Sequence, residues 1–417
     1  MTGTSLDGLD AALVEVRGRG LELRAALHGM VSHTLGDLTQ TLRNFATGGQ
    51  ATALDYARAA RRLGELHAQA IADLCTQRLG SHDLDLVVAH GQTIWHAPPP
   101  LTSRDLEKGA TGHPSSGGPC SYDPKHGSAQ MPARGTRIGQ RDREAAAAAG
   151  LSWQLFDPWP VVRRLRVPVC YDLRQADLIA GGQGAPISPL ADWVLYRDPA
   201  HTRVVVNLGG ICNLTILPAG AAPDAIDGYD AGPCNLLIDG VVRALFPGQT
   251  FDRDGALAGS GEAGGCFREA LHAHPWWQQR SAQTGRRRST GREDFDDAWL
   301  HEVIARQCAD MRPQDVVASA VGAVAGLVAD AARAGGAQQI ILAGGGSHNR
   351  ALVAGIGRLA AGWAQVLRSD DLGIPVAARE AVAFAVLGAL SQDGVPITLP
   401  RVTGANQPGR AGAWVYP

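Results

Sequence analysis

The chain opens Met1-Thr2-Gly3-Thr4-Ser5-Leu6-Asp7-Gly8-Leu9-Asp10, followed by the apolar run Ala11–Val14. Glycines let backbone N–H groups converge on an anion. Thr4 and Ser5 add hydroxyl donors, and Asp7 or Asp10 can hold Mg²⁺ through water. Taken alone, the same residues also make an ordinary β-turn, because Gly, Asp and Ser are turn formers. The run is not a Walker A loop, since G-x-x-x-x-G-K-[ST] is absent. Four further glycine-rich or polar elements follow: Gly181–Pro186, Asn207–Asn213, Gly228–Asn235 and Gly344–Gly346. Asp230 sits in one of them, in a G-x-D-x-G-P context that by itself reads as a helix N-cap.

These loops need rigid elements to aim them. Apolar β-branched runs predict strands at Leu84–His90, Val167–Leu173, Val204–Leu208 and Gln339–Ala343. Helical patterns cover Leu54–Leu79, Pro186–Leu195, Asn235–Leu245, Val316–Ala334, Asn349–Ala361 and Glu380–Leu390. Short buried strands alternating with longer helices make the class α/β. In open α/β sheets, ligands bind beyond the carboxyl ends of strands, where most of these loops fall. Several such loops in one chain point to a nucleotide cleft shared by two lobes. Residues 101–147 lack apolar periodicity and read as a disordered insertion.

The 417 residues suggest more than one lobe, and 45% hydrophobic residues suffice for sizeable cores. The formal net charge of −2 carries no basic excess for nucleic acid. The most apolar helical run, between Asp315 and Asp330, reads as too short to span a bilayer. Seven scattered cysteines without C-x-x-C spacing suggest neither a metal site nor a disulfide framework. Reducing cytoplasm is the expected compartment.

Collinear segments then carry a resemblance over nearly the whole chain except 101–151. They are Gly3–Asp10, Ala89–Ile94, Gln154–Pro158, Asp172–Arg174, Ala180–Pro186, Asn207–Asn213 and Asp230–Asn235 in the first part. Phe251–Gly255, Ser289–Glu293, Gly344–Asn349, Leu372–Pro375, Glu380–Phe384 and Val402–Ala405 complete the series. The sequence resembles the anhydro-N-acetylmuramic acid kinases, sugar kinases of the hexokinase/actin/Hsp70 ATPase superfamily. The resemblance implies an α/β, two-lobed actin-like ATPase (ribonuclease H-like) fold with the nucleotide cleft between lobes. The lobes would be residues 1–175 and 176–398, followed by a C-terminal tail at 399–417.

The resemblance also assigns roles. Gly3, Thr4, Ser5, Leu6, Asp7, Gly8, Leu9 and Asp10 would bind ATP phosphates. Asn207, Gly209, Gly210, Gly344, Gly345 and Gly346 would complete the nucleotide site, with Mg²⁺ as companion ion. Asp230 matches the catalytic base, and no residue is assigned as a dedicated metal ligand. His90, Gln92, Arg174, Gln183 and Glu380 fall around the sugar, although His90 also reads as a satisfied core histidine. Three departures stand out: the family has an apolar strand before the phosphate loop, Cys234 stands where it usually has Gly, and the 101–151 insertion lies between the His90–Thr93 and Gln154–Pro158 segments.

The implied reaction is ATP-dependent hydrolytic opening and 6-O-phosphorylation of 1,6-anhydro-N-acetylmuramic acid, a step of peptidoglycan recycling. An ordinary sugar kinase and a catalytically impaired sugar-binding relative are the alternatives. A small-molecule sugar is the expected partner, a homodimer is left open, and neither nucleic acid nor membrane is expected.

Overall fold

The computed structural model describes residues 1–2, 8–81, 83–97, 99, 150–277 and 295–417. Gly3–Asp7, the whole of the 101–147 segment and Ser289–Glu293 lie outside the described residues.

Strand β1 (Leu9–Arg17) pairs antiparallel with β2 (Arg24–His33), with a register shift at Leu13/Val14. Two helices follow, α1 (Leu38–Ala46) and α2 (Ala53–Arg78). A capping box starts α2: Asp55 N–H donates to Thr52 Oγ1 at 3.3 Å, and Thr52 N–H donates to Asp55 Oδ2 at 2.7 Å. The apolar stripe of α2 buries Leu63, Ala70 and Leu74 with Leu9 and Leu42.

Strands β3 (Val87–Val88), β4 (Gln92–Ala97) and β5 (Leu151–Leu155) come next, then α3 (Trp159–Leu165) and β6 (Val169–Tyr171). Both sequence-predicted strands in this region are shorter than expected. Leu84–His90 contracts to β3. Val167–Leu173 contracts to β6, since Asp172 takes φ +54 and breaks the extended run. Helices α4 (Gln175–Ile179) and α5 (Pro189–Tyr196) lead onward.

The large sheet is built from β7 (Arg203–Leu208), β8 (Ile211–Leu217), β9 (Asp227–Pro233), β10 (Gln339–Ala343) and β11 (Gln365–Arg368). Its order is β11-β10-β7-β8-β9, and β10 runs parallel to both β7 and β11. The hairpin β7-β8-β9 is antiparallel. Alternate residues serve the two faces. Val204, Val206, Ile340 and Leu342 face one core, while Val205 and Ile341 face the other. The first core is closed by α6 (Asn235–Leu245), α8 (Cys266–Ala273), α9 (Asp297–Gln307), α10 (Pro313–Ala334) and α11 (Arg350–Ala360), with the short α7 (Ala256–Gly259) beside them.

Helix α10 runs 22 residues, so the expectation that this apolar segment is too short to span a bilayer is corrected. It is buried over 78% of its most apolar window, as a core helix is. The second core is closed by α5 and α12 (Arg379–Gln392), which also receives Leu23 from ahead of β2 and Cys170 from β6. Residues 399–417, expected as a C-terminal tail, carry regular structure. They form α13 (Pro400–Thr403) and β12 (Ala413–Val415), and β12 pairs antiparallel with β6 in the sheet β12-β6-β3.

Candidate active site

Three polar residues line up across the antiparallel part of the large sheet. Asn207 on β7 is opposite Asn213 on β8, which is opposite Asp230 on β9. Directly opposed residues present their side chains on one face. A register shift after Cys212 adds one residue to β9 beside Asp230, and such bulges re-aim side chains near sites. Asp230 is therefore a strand residue. The N-cap reading fails, since α6 begins at Asn235 and its flanking residue is Cys234. Cys234 itself takes φ −127, so this position does not demand glycine.

The polar row forms one wall of a cavity of about 180 Å³. Facing it are Arg174, Gln183, the 185–188 loop, the start of α12 with Arg379 and Glu380, and Phe384. The structure thus gathers Arg174, Gln183, Asn207, Asp230 and Glu380 in one space. His90 and Gln92 lie outside this lining. The His90 ring packs against Phe384 at 4.7 Å between centroids, and both its nitrogens are buried without a hydrogen-bond partner among the described residues. Burial, reinforced by the Arg174 charge, holds His90 well below its ordinary pKa, so the ring is neutral at pH 7. Gln92 Nε2 donates to the Thr93 carbonyl at 3.3 Å, and its Oε1 has no partner among the described residues.

A clamp shapes the far wall. Asp177 on α4 accepts from Gly184 N–H at 2.7 Å and from Thr403 Oγ1 at 2.6 Å. Gly182 packs so closely on this carboxylate that an added Cβ would collide with it. Arg174 Nη1 donates to the Gly184 carbonyl at 2.6 Å. Gln183 donates through Nε2 to the Pro99 carbonyl at 2.9 Å. Burial lowers the Arg174 pKa, while Glu380, Asp172 and Asp177 oppose that shift. Burial raises Asp177 and Asp172, with Arg174 pulling both back. Arg174 Nε and Asp172 Oδ1 remain buried without partners among the described residues, which leaves donor and acceptor capacity for a ligand.

Beyond the row lie two glycine turns. Gly344 has φ +80, and a Cβ there would strike the Asn207 side chain and the Leu208 backbone. The turn after β10 and the β7–β8 turn are therefore packed edge to edge. Gly210 and Gly345 are exposed, and a Cβ on either would meet nothing within 4 Å. Backbone open in this way admits close approach by phosphates. The N-terminus of α6 is already used: Cys234, Asn235 and Leu236 N–H groups donate to the Gly210, Gly209 and Gly210 carbonyls at 2.9–3.0 Å. Of the N-terminal phosphate segment, Gly8 precedes β1 while Leu9 and Asp10 belong to it. Leu9 is fully buried in the core, and Asp10 accepts from Ser32 Oγ at 2.6 Å across the hairpin. Leu9 thus contributes its side chain to packing, not to a ligand.

Asp177, Asn213 and Arg379 are site residues to which the sequence reading gave no role. Asp177 lies three residues after Arg174, and Arg379 directly precedes Glu380; those adjacencies were the available signal.

The family profile for anhydro-N-acetylmuramic acid kinase matches residues 1–108 and 137–417. The chain belongs to the anhydro-N-acetylmuramic acid kinase family. The unmatched stretch, 109–136, falls inside the segment read as an insertion. An anhydro-N-acetylmuramic acid kinase of Salinibacter ruber is 33% identical, covering 97% of this chain and 92% of the relative. One of Prochlorococcus marinus strain MIT 9313 is 32% identical over 98% and 96%. One of Caldanaerobacter subterraneus is 30% identical over 98% and 93%. A solved activator of 2-hydroxyisocaproyl-CoA dehydratase from Clostridium difficile aligns at 14% identity and TM-score 0.35, covering 59% of this chain and 87% of that one. The assignment does not rest on that alignment.

Proposed function

We propose that this anhydro-N-acetylmuramic acid kinase family member uses ATP to open the 1,6-anhydro bridge of its sugar and phosphorylate the freed O6. The product is N-acetylmuramic acid 6-phosphate. The carrying observation is the polar row Asn207–Asn213–Asp230 facing Arg174 and Glu380 across one cavity. The large sheet order, with an antiparallel triplet followed by two parallel strands, supports a two-lobed actin-like reading of the fold. The need for ATP points to the cytoplasm.

The substrate's bridge ties C1 to O6, so no free 6-hydroxyl exists. Asp230 accepts a proton from water as that water attacks C1. The C1–O6 bond breaks, and O6 attacks the γ-phosphorus, displacing ADP in line. Glu380, on the opposite wall, positions the sugar or the water against Asp230. Arg174 offers fixed positive charge to the anionic sugar, whose carboxylate needs a counter-charge once desolvated.

The exposed turns at Gly210 and Gly345 would take the nucleotide's phosphates through backbone N–H groups, with Gly3–Asp7 supplying the remainder. Mg²⁺, when bound with ATP, supplies charge neutralisation on the β- and γ-phosphates. Among the described residues no group of three or more His, Cys, Asp or Glu side chains gathers as a metal cage. An ion held largely by phosphates and water needs no such cage.

The test is turnover of purified protein with ATP-Mg²⁺ and anhydro-sugar, for wild type and Asp230→Asn. The substitution keeps shape and removes the base, so turnover should fall at least about 10²-fold while ATP binding survives. Near-wild-type turnover in Asp230→Asn would remove Asp230 from this role.

A further inference from the structure

Away from the cavity, two cysteines from distant parts of the chain meet. Cys266 is the first residue of α8 and Cys308 follows the last residue of α9. They are 42 positions apart in sequence, yet Cys308 Sγ lies 2.9 Å from Cys266 Sγ. Their exposures are 9% and 3%, and Met311 Sδ is 4.0 Å from Cys266 Sγ. The two sulfurs approach far more closely than a bridging metal allows. An ion about 2.3 Å from each thiolate in tetrahedral geometry would hold them roughly 3.7 Å apart. A covalent S–S bond needs about 2.05 Å, so a sub-ångström movement suffices.

We propose that Cys266 and Cys308 are a modification site: they join in an intramolecular disulfide on contact with a small-molecule disulfide such as oxidised glutathione. This bond is independent of the kinase reaction. In the first step the Cys266 thiolate attacks one sulfur of glutathione disulfide. The glutathione S–S bond breaks, and one glutathione leaves as thiolate and takes up a proton. In the second step Cys308 gives its proton to solvent and attacks the Cys266 sulfur. The second glutathione leaves and is protonated. Two protein thiols are oxidised and one glutathione disulfide is reduced to two thiols. Cys266 receives the oxidant because it is the more exposed of the pair. Burial, together with the hydrogen bond to Cys266, pushes the Cys308 thiol up to about 12. The thiolate is the attacking form, so bond formation accelerates as pH rises.

Once formed, the bond ties the start of α8 to the end of α9 and brackets the Ser289–Glu293 segment. Both helices belong to the core that carries the large sheet, because α8 packs on α10 and α9 on α6.

The experiment uses the full chain with Cys120→Ser, which removes the cysteine lying outside the described residues. The protein is incubated with oxidised glutathione at mildly alkaline pH, alkylated, digested without reduction and mapped by mass spectrometry. The expected result is a linked pair of peptides holding Cys266 and Cys308, with the intact mass lower by two hydrogens. Cys75, Cys170, Cys212 and Cys234, with exposures of 1% or less against 9% for Cys266, should be recovered alkylated after unfolding. Adding Cys266→Ser should abolish the link and the mass loss. If that variant does not fold, the peptide map of the parent still decides. Recovery of Cys266 and Cys308 as free thiols, as separate glutathione adducts, or each linked to another cysteine would overturn the proposal.

Discussion

Replacing Arg379 should show how the start of α12 is held. Arg379 is 4% exposed and its partner Asp192 is fully buried. Arg379 Nη2 donates to both Asp192 carboxylate oxygens at 2.6 Å, and Thr215 Oγ1 donates to Oδ2 at 2.9 Å. The three residues come from α12, α5 and β8, so the network ties two helices to the sheet beneath the cavity. Arg379→Met leaves a buried carboxylate with one hydroxyl donor. Breaking a buried pair in this way costs about 3–5 kcal/mol. Replacing both partners, as Arg379→Met with Asp192→Leu, removes the stranded charge and should restore most of that loss. The assay is urea unfolding followed by tryptophan fluorescence, comparing midpoints at matched slope. A catalytic readout accompanies it. Arg379 precedes Glu380, so Arg379→Lys, which keeps the charge, should retain more turnover than Arg379→Met. A loss under about 1 kcal/mol in Arg379→Met, or a double variant no more stable than the single one, would refute the reasoning.

Two further outcomes follow from burial and from family matching. His67 is buried, donates from Nδ1 to the Leu63 carbonyl at 2.8 Å, and is lowered to about 3 chiefly by burial. Its folded pKa lies below the unfolded value of about 6.5, so the unfolded state binds more protons between those values. Stability should therefore fall as pH drops from about 6.5 toward 3, and His67→Gln should flatten that slope in unfolding experiments at stepped pH. Deleting residues 109–136, which lie outside the family match, should leave the melting temperature nearly unchanged; a loss of several degrees would mean they pack into the fold.

Periodic elements were legible in the sequence. Asn235–Leu245 and Gln339–Ala343 fold with the predicted bounds, because the apolar spacing ends at Phe246-Pro247 in the first and at Gly344 in the second. Strand β9 was not legible. Gly228, Gly232 and Pro233 read as turn residues, yet β9 sits at the sheet edge, where such residues are tolerated. That single misreading made Asp230 look like a helix cap and hid its alignment with Asn207 and Asn213. The β1–β2 hairpin escaped because its only early signal was the short run Ala11–Val14, and β2 (RAALHGMVSH) lacks polar/apolar alternation and buries only Gly29. The role of Asp177 depends on Gly184 and Thr403 meeting it, and Thr403 is 226 positions away. No local pattern encodes such a contact. Arg379 was overlooked for the same reason: its partner Asp192 lies 187 positions off.

The hydrolytic mechanism is tested most directly by following oxygen. The reaction is run in ¹⁸O-water with ATP-Mg²⁺ and 1,6-anhydro-N-acetylmuramic acid, then quenched before the anomeric centre exchanges with solvent. If Asp230 activates water against C1, one heavy oxygen appears at C1 of the phosphorylated sugar and none in the transferred phosphoryl group. Phosphorylated product lacking label at C1, or an inert anhydro-sugar beside a phosphorylated free sugar, would contradict it.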